Sequence, residues 1–291
     1  MKVNNGYSSI SVELVNAPQL VGWEARVFDM AKMTWGSYDG VQYDPDNSVH
    51  EELVWGAFEG RVLPTVLEQL QLQFVIKGIT RTCSHQLVRG RVGWGYNQQS
   101  QMAEVLLRDM SIPMHVHAIP ELRERIELFA RMASQLYNDI IDAGLPPQSA
   151  RYVLPEGTHT DVYAVCTFPA LRGFVGNRTC LSTNDEINLV ARMMRQAVLA
   201  AEPRWAKYLL QSCDRTGKCN LTDPVFPCCG KFPQAVPTTG HWGNADNNIH
   251  MELKRRPDLH VHETDAKVVD AMDRWHRKAG RFDVSSLDGQ V

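Results

Sequence analysis

Arginines, side-chain amides and glycines are concentrated between residues 81 and 101. The segment contains Arg81, Arg89, Arg91, Gly90, Gly93, Gly95 and the run Gln98, Gln99, Ser100 and Gln101. The planar guanidinium group of arginine fits a phosphate, and an amide can recognise the donor and acceptor edges of a nucleobase. Glycines permit unusual backbone dihedral angles or a close approach to a ligand. The segment therefore predicts a nucleotide-binding pocket.

The residues of this segment leave other interpretations open. The arginines could pair with some of the 33 carboxylate side chains while the glycines form a turn. Basic residues interleaved with Trp94 and Tyr96 are also typical of a groove for single-stranded RNA. The glycine spacing differs from a dinucleotide-binding fingerprint, and no βαβ pattern surrounds it.

Two arginines further along the chain are additional candidates. Arg151 follows a predicted helix boundary, and Arg178 precedes a predicted helix start at Thr183. The positive end of a helix dipole favours an anionic ligand. The coincidence of these arginines with the 81–101 segment strengthens the prediction of an anionic, nucleotide-like ligand.

The elements that must position these side chains follow from hydrophobic periodicity. Alternation of apolar and polar residues predicts strands at Ile10–Leu14 and Leu70–Phe74. Helical spacing predicts one helix across residues 20–30 and another across residues 53–58.

Two longer helices carry apolar stripes. The first is predicted over Glu121–Ala143 and ends at Gly144; its stripe consists of Ile126, Phe129, Met132, Leu136 and Ile140. The second begins near Asn184, where Thr183 and Glu186 have the spacing of a capping box, and it ends before Pro203. Both stripes are expected to pack in the core.

Composition limits the class of protein. The chain has 291 residues, 44% of them hydrophobic and 22% charged, which suits one or two globular domains. A net charge of −3 excludes a surface that binds nucleic acid or anionic membranes throughout. The sequence has neither an apolar signal-peptide core nor a run of about 18 apolar residues. Seven cysteines, including adjacent Cys228 and Cys229, suit reduced thiols, so we expect a cytoplasmic protein.

The composition changes after residue 211. Cys, Pro, Gly, Asn and His become frequent, and only Val268–His276 has helical spacing. We expect residues 1–211 to form the main domain and residues 212–291 an irregular extension packed on it. Four cysteines could hold a zinc ion, but their spacing is unlike paired Cys-x2-Cys knuckles, so reduced thiols are favoured and no metal site is predicted; they are Cys213, Cys219, Cys228 and Cys229.

Three blocks of this sequence resemble the flavin-dependent thymidylate synthase family in order and approximate spacing. They lie at 77–100, 150–155 and 174–187, and the likeness spans residues 8–203. The family signature is Arg-His-Arg, seven residues and then Ser. This chain has Arg89-Gly90-Arg91, eight residues and then Ser100.

The resemblance implies a fold, an activity and an assembly. The fold would be α+β, with a mixed sheet flanked by helices, assembled as a homotetramer with FAD sites between subunits. The family converts dUMP to dTMP. Methylenetetrahydrofolate provides the carbon for uracil C5, NADPH-reduced FAD provides a hydride, and no covalent protein nucleophile is required.

Residue roles are carried over from the resemblance position by position. Arg178 would be catalytic, because a fixed cation stabilises the oxyanion and the N3-deprotonated form of the pyrimidine. The expected substrate-binding residues are Gln86, Arg89, Gln98, Gln99, Ser100, Gln101, Arg151 and Arg178. The expected FAD-binding residues are Arg89, Gly90, Arg91, Gln98, Thr167 and Gly173.

The departures from the family pattern indicate a reshaped pocket. Gly90 replaces the signature histidine, Met102 replaces an expected arginine, and only Leu63-Pro64 stands where a His-containing segment is usual. The chain is similar in this sense to the branch that methylates UMP as well as dUMP in nucleoside-antibiotic biosynthesis. Gly90 and the shifted Ser100 could accommodate a ribose 2′-hydroxyl. The alternatives are an enzyme restricted to dUMP and a flavoprotein with another reductive reaction.

Overall fold

The computed structural model describes residues 1–36, 40–102, 108–180 and 183–219, together with residue 232. Its strands are β1 (Val3–Asn5), β2 (Ser11–Leu14), β3 (Gln71–Thr80), β4 (Trp94–Gln98), β5 (Met110–Ile112) and β6 (His159–Thr167). Its α-helices are α1 (Trp23–Trp35), α2 (Ser48–Glu59), α3 (Arg81–Leu87), α4 (Met114–His117), α5 (Pro120–Asp142), α6 (Pro147–Ala150), α7 (Phe168–Arg178), α8 (Asp185–Ala201) and α9 (Ser212–Thr216). Short 3₁₀ helices occupy Ala17–Leu20, Pro64–Gln69, Arg151–Val153 and Pro203–Lys207.

Four strands form the central sheet in the order β2-β3-β6-β4, and each neighbouring pair is antiparallel. β1 and β5 form a separate parallel pair. The predicted α+β class with helices flanking the sheet is confirmed. The expected mixed sheet is observed as two sheets: the central sheet is antiparallel, and the separate β1–β5 pair is parallel.

The core lies on one face of the central sheet. Leu72, Phe74 and Ile76 alternate along β3 and are fully buried, as the period of two requires. Helix α8 packs on β2 and β3, and α7 packs on β6. An aromatic cluster with mostly edge-to-face rings joins these helices to α1 and α2; it contains Trp23, Trp55, Phe58, Phe168 and Trp205.

The observed elements confirm both predicted strands and the predicted helices of the described region, with one change at the start of α8. Asn184, rather than Thr183, is the N-cap residue, because its Oδ1 accepts a hydrogen bond from the amide of Glu186 at 3.1 Å. The hydroxyl of Thr183 instead donates to the carbonyl of Asn177 at 3.2 Å. The Glu186 side chain points away from the cap and accepts hydrogen bonds from Thr80.

The prediction that the α5 stripe packs in the core is wrong for three of its residues, whereas Ile126 packs against a second buried cluster that includes Met110 and Ile112. Phe129, Met132 and Leu136 are 53%, 57% and 49% exposed. The face of α5 that is buried carries mostly small residues, namely Ala130, Ala133, Ser134 and Tyr137. Phe129, Met132 and Leu136 thus face outward, whereas the Tyr137 ring is buried.

The described part of the C-terminal region begins on the main body. α9 packs on α7, and a Cβ at Gly176 would lie 2.8 Å from the Ser212 hydroxyl. The remainder, including Val268–His276, Cys228 and Cys229, lies outside the described residues, so the packing of the 212–291 extension stays a prediction. Within the described ranges, no cluster of His, Cys, Asp and Glu could hold a metal ion. None of the helices in those ranges combines the length and apolarity of a membrane span.

Candidate active site

Two strand-to-helix junctions build the candidate site. Thr80 ends β3 and caps α3, its hydroxyl oxygen accepting from the amide of Cys83 at 3.1 Å. Thr167 ends β6 and caps α7 in the same way, through the amide of Ala170 at 3.4 Å. Since β3 and β6 are antiparallel, the two helices start at opposite ends of the pair. α7 runs back along the sheet and ends at Arg178, whose cavity-lining side chain faces α3.

Between these helices lies an open cavity of about 580 Å³. Its polar lining side chains are Glu68, Gln86, Arg89, Arg91, Thr167, Asn177 and Arg178, and its other lining residues include Gly90, Gly93, Trp94, Gly173 and Phe174. A cavity of this size with a few convergent polar groups is typical of a small-molecule site. The predicted residues that meet here are Gln86, Arg89, Gly90, Arg91, Thr167, Gly173 and Arg178.

The three arginines of the cavity keep their guanidinium groups available. Within the part of the chain that the structure describes, the side chains of Arg89, Arg91 and Arg178 make no hydrogen bond or ion pair. The described residues therefore do not support the alternative in which these arginines pair with carboxylates. Three unpaired guanidinium groups around one cavity suit an anionic ligand such as a phosphate ester.

Gly93 allows the loop before β4 to pack against the start of α7. It has φ +72°, and a Cβ there would lie 2.7 Å from Thr167 Oγ1 and 2.9 Å from Ala170 Cβ. Its carbonyl oxygen accepts a hydrogen bond from the amide of Thr167 at 2.9 Å. Only glycine satisfies both conditions, so this residue holds the cavity floor close to the helix.

The space beside Gly90 is already filled. A Cβ at this position would lie 3.2 Å from the Tyr96 hydroxyl and 3.3 Å from the Trp94 indole. The two rings are stacked, with centroids 5.5 Å apart and planes 7° apart. Aromatic side chains of β4 therefore occupy the volume nearest to the Cβ position of Gly90, and a role of Gly90 in accommodating a ribose hydroxyl stays a prediction.

The remaining predicted residues lie outside the cavity of their own chain. The amide nitrogen of Gln98 donates to Ser84 Oγ at 3.0 Å and Thr160 Oγ1 at 3.3 Å. Ser100 Oγ accepts from the amide of Met102 at 3.1 Å, and Arg151 lies over the ring of Tyr152 at 5.8 Å. Gln101 is half-buried in the same turn as Ser100.

Gln99 differs from its neighbours because one of its polar atoms is buried. Its Oε1 has no hydrogen-bond partner among the described residues. A buried acceptor of this kind costs free energy unless it is satisfied. Because this atom has almost no accessible surface, a ligand or a second chain could reach it only after the side chain moves.

Beyond the predicted residues, the cavity lining includes Glu68, Phe174 and Asn177. Glu68 belongs to the 3₁₀ helix Pro64–Gln69, and it is the one carboxylate among the described lining residues. The Leu63-Pro64 segment was the only signal that could have indicated this helix. Phe174 and Asn177 line the cavity from α7, where Phe174 lies four residues before Arg178 and Asn177 four residues after Gly173, a spacing that indicates shared faces of the helix.

The buried thiol of Cys83, which lies near enough to Arg178 for its pKa to respond to that charge, is neutral. Cys83 is fully buried on α3, and burial together with the charge of Glu186 raises its pKa well above the usual range, although Arg178 opposes this shift. A thiol held in this form is a poor nucleophile. The site is therefore suited to charge stabilisation and ligand orientation rather than to attack by this cysteine.

Comparisons with known proteins match the chain to one family. A family model described as "Thymidylate synthase complementing protein" matches residues 20–204. A flavin-dependent thymidylate synthase of Thermococcus onnurineus is 34% identical over 236 residues, covering 76% of this chain and 94% of the relative. The corresponding protein of Pyrococcus furiosus is 29% identical with the same coverage.

A solved structure has the same fold. The UMP/dUMP methylase PolB from Streptomyces cacaoi, bound with 5-Br dUMP, matches with a TM-score of 0.56 and 21% identity, covering 70% of this chain and 94% of that chain. The family match, the coverage of the relatives and the predicted signature arginines agree with one another. The chain belongs to the flavin-dependent thymidylate synthase family.

Proposed function

We propose that this enzyme methylates C5 of a uridylate, accepting UMP as well as dUMP. Methylenetetrahydrofolate provides the carbon, and NADPH provides the reducing equivalents through FAD. The observation that carries the proposal is the convergence of Arg89, Arg91 and Arg178, all unpaired within the described residues, on one cavity that also contains Gln86.

The residues of the cavity fit FAD. Arg89 and Arg91 provide cations for its diphosphate, and Trp94 and Phe174 provide apolar ring surfaces. A Cβ at Gly173 would meet no atom within 4 Å, so this stretch of α7 leaves open space at the wall. Gly90, Gln98 and Thr167 complete the proposed cofactor site. When bound, FAD supplies the hydride that completes the methyl group.

Arg178 acts on the pyrimidine ring. A guanidinium group beside the uracil carbonyl stabilises the negative charge that develops when N3 is deprotonated and C5 becomes nucleophilic. Its environment supports this role, because its charge is not neutralised by a carboxylate among the described residues. The neutral thiol of Cys83 supports a reaction that requires no covalent protein nucleophile.

The proposed nucleotide-binding residues lie partly in the cavity and partly outside it. Gln86 and Arg89 bind the substrate within the cavity, whereas Gln98–Gln101 and Arg151 bind it from outside the cavity of their own chain. Such a division is expected when a site is completed by a neighbouring subunit.

The assembly proposed is a homotetramer with FAD sites between subunits. The exposed apolar face of α5, formed by Leu128, Phe129, Met132 and Leu136, is the surface that supports it. The 3₁₀ helix carrying Arg151 packs on α5, so burial of this face would bring a nucleotide-binding residue close to a partner. Free thiols at Cys83, Cys166 and Cys219 support a reducing compartment, and we place the enzyme in the cytoplasm.

The test uses purified enzyme with FAD, NADPH, methylenetetrahydrofolate and equal amounts of UMP and dUMP, and detects products by mass spectrometry. Methylation of both nucleotides is the expected result. Methylation of dUMP alone would restrict the function to thymidylate synthesis. Bound, reducible flavin with neither product would overturn the proposal and leave a different reductive reaction.

A further inference from the structure

The C-terminal end of α7 is held by side chains of α8. The last carbonyl groups of a helix have no partner within the helix. Here the Nδ2 atom of Asn188 donates to the carbonyls of Arg178 and Cys180, both at 2.9 Å. Arg192 donates to the carbonyl of Thr179 at 3.3 Å. Three successive carbonyls at the end that carries the catalytic arginine are thereby satisfied.

Asn188 is itself fixed in orientation. It is 5% exposed, and its Oδ1 accepts from Nε of Arg192 at 2.7 Å. This hydrogen bond assigns the oxygen of the Asn188 side chain to Arg192 and turns the amide nitrogen toward α7. Because both ends of the amide are used, rotation of Asn188 would break the whole arrangement.

The same turn of α8 also holds the opposite wall of the cavity. The buried Glu186 carboxylate accepts from the amide of Thr80 at 2.7 Å and from its hydroxyl at 2.6 Å. Thr80 is the N-cap residue of α3, the helix that carries Gln86 and leads to Arg89. Glu186 and Asn188, two residues apart, therefore connect α8 to both walls.

We infer that Glu186 and Asn188 are positioning residues that fix Arg178 relative to the nucleotide-binding wall formed by Gln86 and Arg89. The inference rests on the proposed function, since it assumes that Arg178 acts on the uracil ring. Neither residue lines the cavity, so each acts through its hydrogen bonds to the backbone or cap. Electrostatic stabilisation depends steeply on placement, and a displacement of about 1 Å can cost about 100-fold in rate.

The first test is Asn188→Asp. The substitution preserves shape and the acceptor for Arg192, but it replaces the amide donor with an oxygen that faces two carbonyls. A protonated carboxyl group would donate to only one of the two carbonyls and an ionised one to neither, so the arrangement at the end of α7 is lost in both states. We expect kcat to fall about 10- to 100-fold while KM for the nucleotide changes less than about threefold.

A second readout avoids turnover. The ¹⁹F chemical shift of 5-fluoro-dUMP bound to the FAD-loaded enzyme is followed against pH, because it reports ionisation of uracil N3. In the wild type the bound N3 pKa should be lower than in free nucleotide. In Asn188→Asp it should return toward the free value, since Arg178 is no longer held against the ring.

The matched control is Arg195→Ala. Arg195 also lies on α8 and also binds a carbonyl, that of Leu209 at 2.6 Å, but this bond holds the segment after α8 and not α7. The control should lower Tm and leave kcat and the bound N3 pKa unchanged. If Asn188→Asp fails to fold, Arg192→Lys replaces it, because Arg192 is exposed on α8 and its substitution removes the fork that orients Asn188.

Glu186→Gln tests the other wall. It retains one acceptor for Thr80 and should raise Kd for the nucleotide more than it lowers kcat, because it loosens α3 rather than α7. If Asn188→Asp keeps both the wild-type N3 pKa of the bound nucleotide and the wild-type kcat, the positioning role is overturned while the proposed function stands. If Arg178→Ala also leaves the bound N3 pKa at the wild-type value, the proposed role of Arg178 fails, and the positioning inference fails with it.

Discussion

The indole ring of Trp94 occupies the volume into which a side chain at position 90 would project, with its Cδ1 and Nε1 atoms 3.3 Å from the Cβ position of Gly90. Glycine at 90 and the stacked rings of Trp94 and Tyr96 thus form one complementary unit in the wall of the cavity. A side chain at position 90 therefore requires a shift of the Trp94 or Tyr96 ring, which predicts that the residue at 90 and these aromatic residues of β4 are coupled.

Gly90→His should displace the Trp94 ring from the cavity wall. Overpacking of this kind costs about 1–3 kcal/mol, so FAD affinity and kcat/KM should fall about 5- to 100-fold. Addition of Trp94→Ala should recover part of the loss. FAD binding is measured by quenching of flavin fluorescence.

The control for this pair is Gly95→Ala, because a Cβ at Gly95 meets no atom within 4 Å. It should leave FAD affinity unchanged. Full activity in Gly90→His without any change at Trp94 would show that the two positions are not coupled.

Arg178→Ala should lower kcat about 10²- to 10³-fold, because the developing uracil anion loses its fixed cation. Arg178→Lys should recover part of the rate, since it keeps the charge without the planar fork. Single-turnover rates of methyl formation are the appropriate measurement.

Arg172→Ala is the matched control for Arg178, because Arg172 lies on the same helix and donates to the carbonyl of Phe58 at 3.4 Å. It should reduce Tm with little effect on kcat. A near-normal kcat in Arg178→Ala would remove Arg178 from the catalytic role.

Met102→Arg should lower KM for dUMP severalfold if the nucleotide phosphate lies beside this turn. Met102 is exposed and follows Ser100, whose hydroxyl accepts from its amide, so a longer cationic side chain can be accommodated. A charge-assisted hydrogen bond to phosphate provides the gain. Met102→Leu serves as the control, and an unchanged KM in Met102→Arg would mean that another residue binds the phosphate.

Phe129→Glu combined with Met132→Glu should shift the enzyme from tetramers to smaller species. Both side chains are exposed on α5, and a carboxylate buried at a subunit interface has no compensating partner. Sedimentation velocity measures the change, and circular dichroism checks that each chain remains folded. Asn138→Asp, at an exposed position of the same helix away from this face, should leave the assembly intact; an unchanged tetramer in the double variant would place the interface elsewhere.

The comparison of α5 with α8 shows what periodicity can and cannot predict. Both helices have an apolar stripe, and both were correctly predicted as helices. In α8 the stripe is buried, as Ile187, Val190 and Met194 show, whereas in α5 Phe129 and Met132 face outward. Periodicity identifies an apolar face, but whether the same chain covers that face depends on tertiary packing.

The candidate site was likewise predictable from the sequence only in part. The arginine motif and the family resemblance predicted Arg89, Arg91 and Arg178 as ligand-binding residues, and the structure places them around one cavity. Glu68 was not predicted, because an isolated carboxylate carries no pattern until the sheet brings it beside those arginines. Similarly, the hydrogen bonds of Asn188 depend on how α8 packs, and its sequence position gives no sign of them.

His159 should make the free energy of unfolding depend on pH. The residue is buried, with its Nε2 atom 2.8 Å from the Ser111 hydroxyl oxygen. Burial lowers the pKa of His159, with Arg108 contributing, while Asp109 and Asp161 oppose the shift. Below the usual value of about 6.5 the unfolded chain binds a proton that the folded chain does not, so this contribution to stability is complete above pH 6.5 and is lost as the pH falls.

His159→Gln, which keeps a neutral hydrogen-bonding side chain, should flatten the pH dependence of the free energy of unfolding between about pH 7.5 and 5.5, as measured by urea unfolding. His85→Gln is the control because His85 is exposed, and an identical pH dependence in wild type and His159→Gln would contradict the assignment.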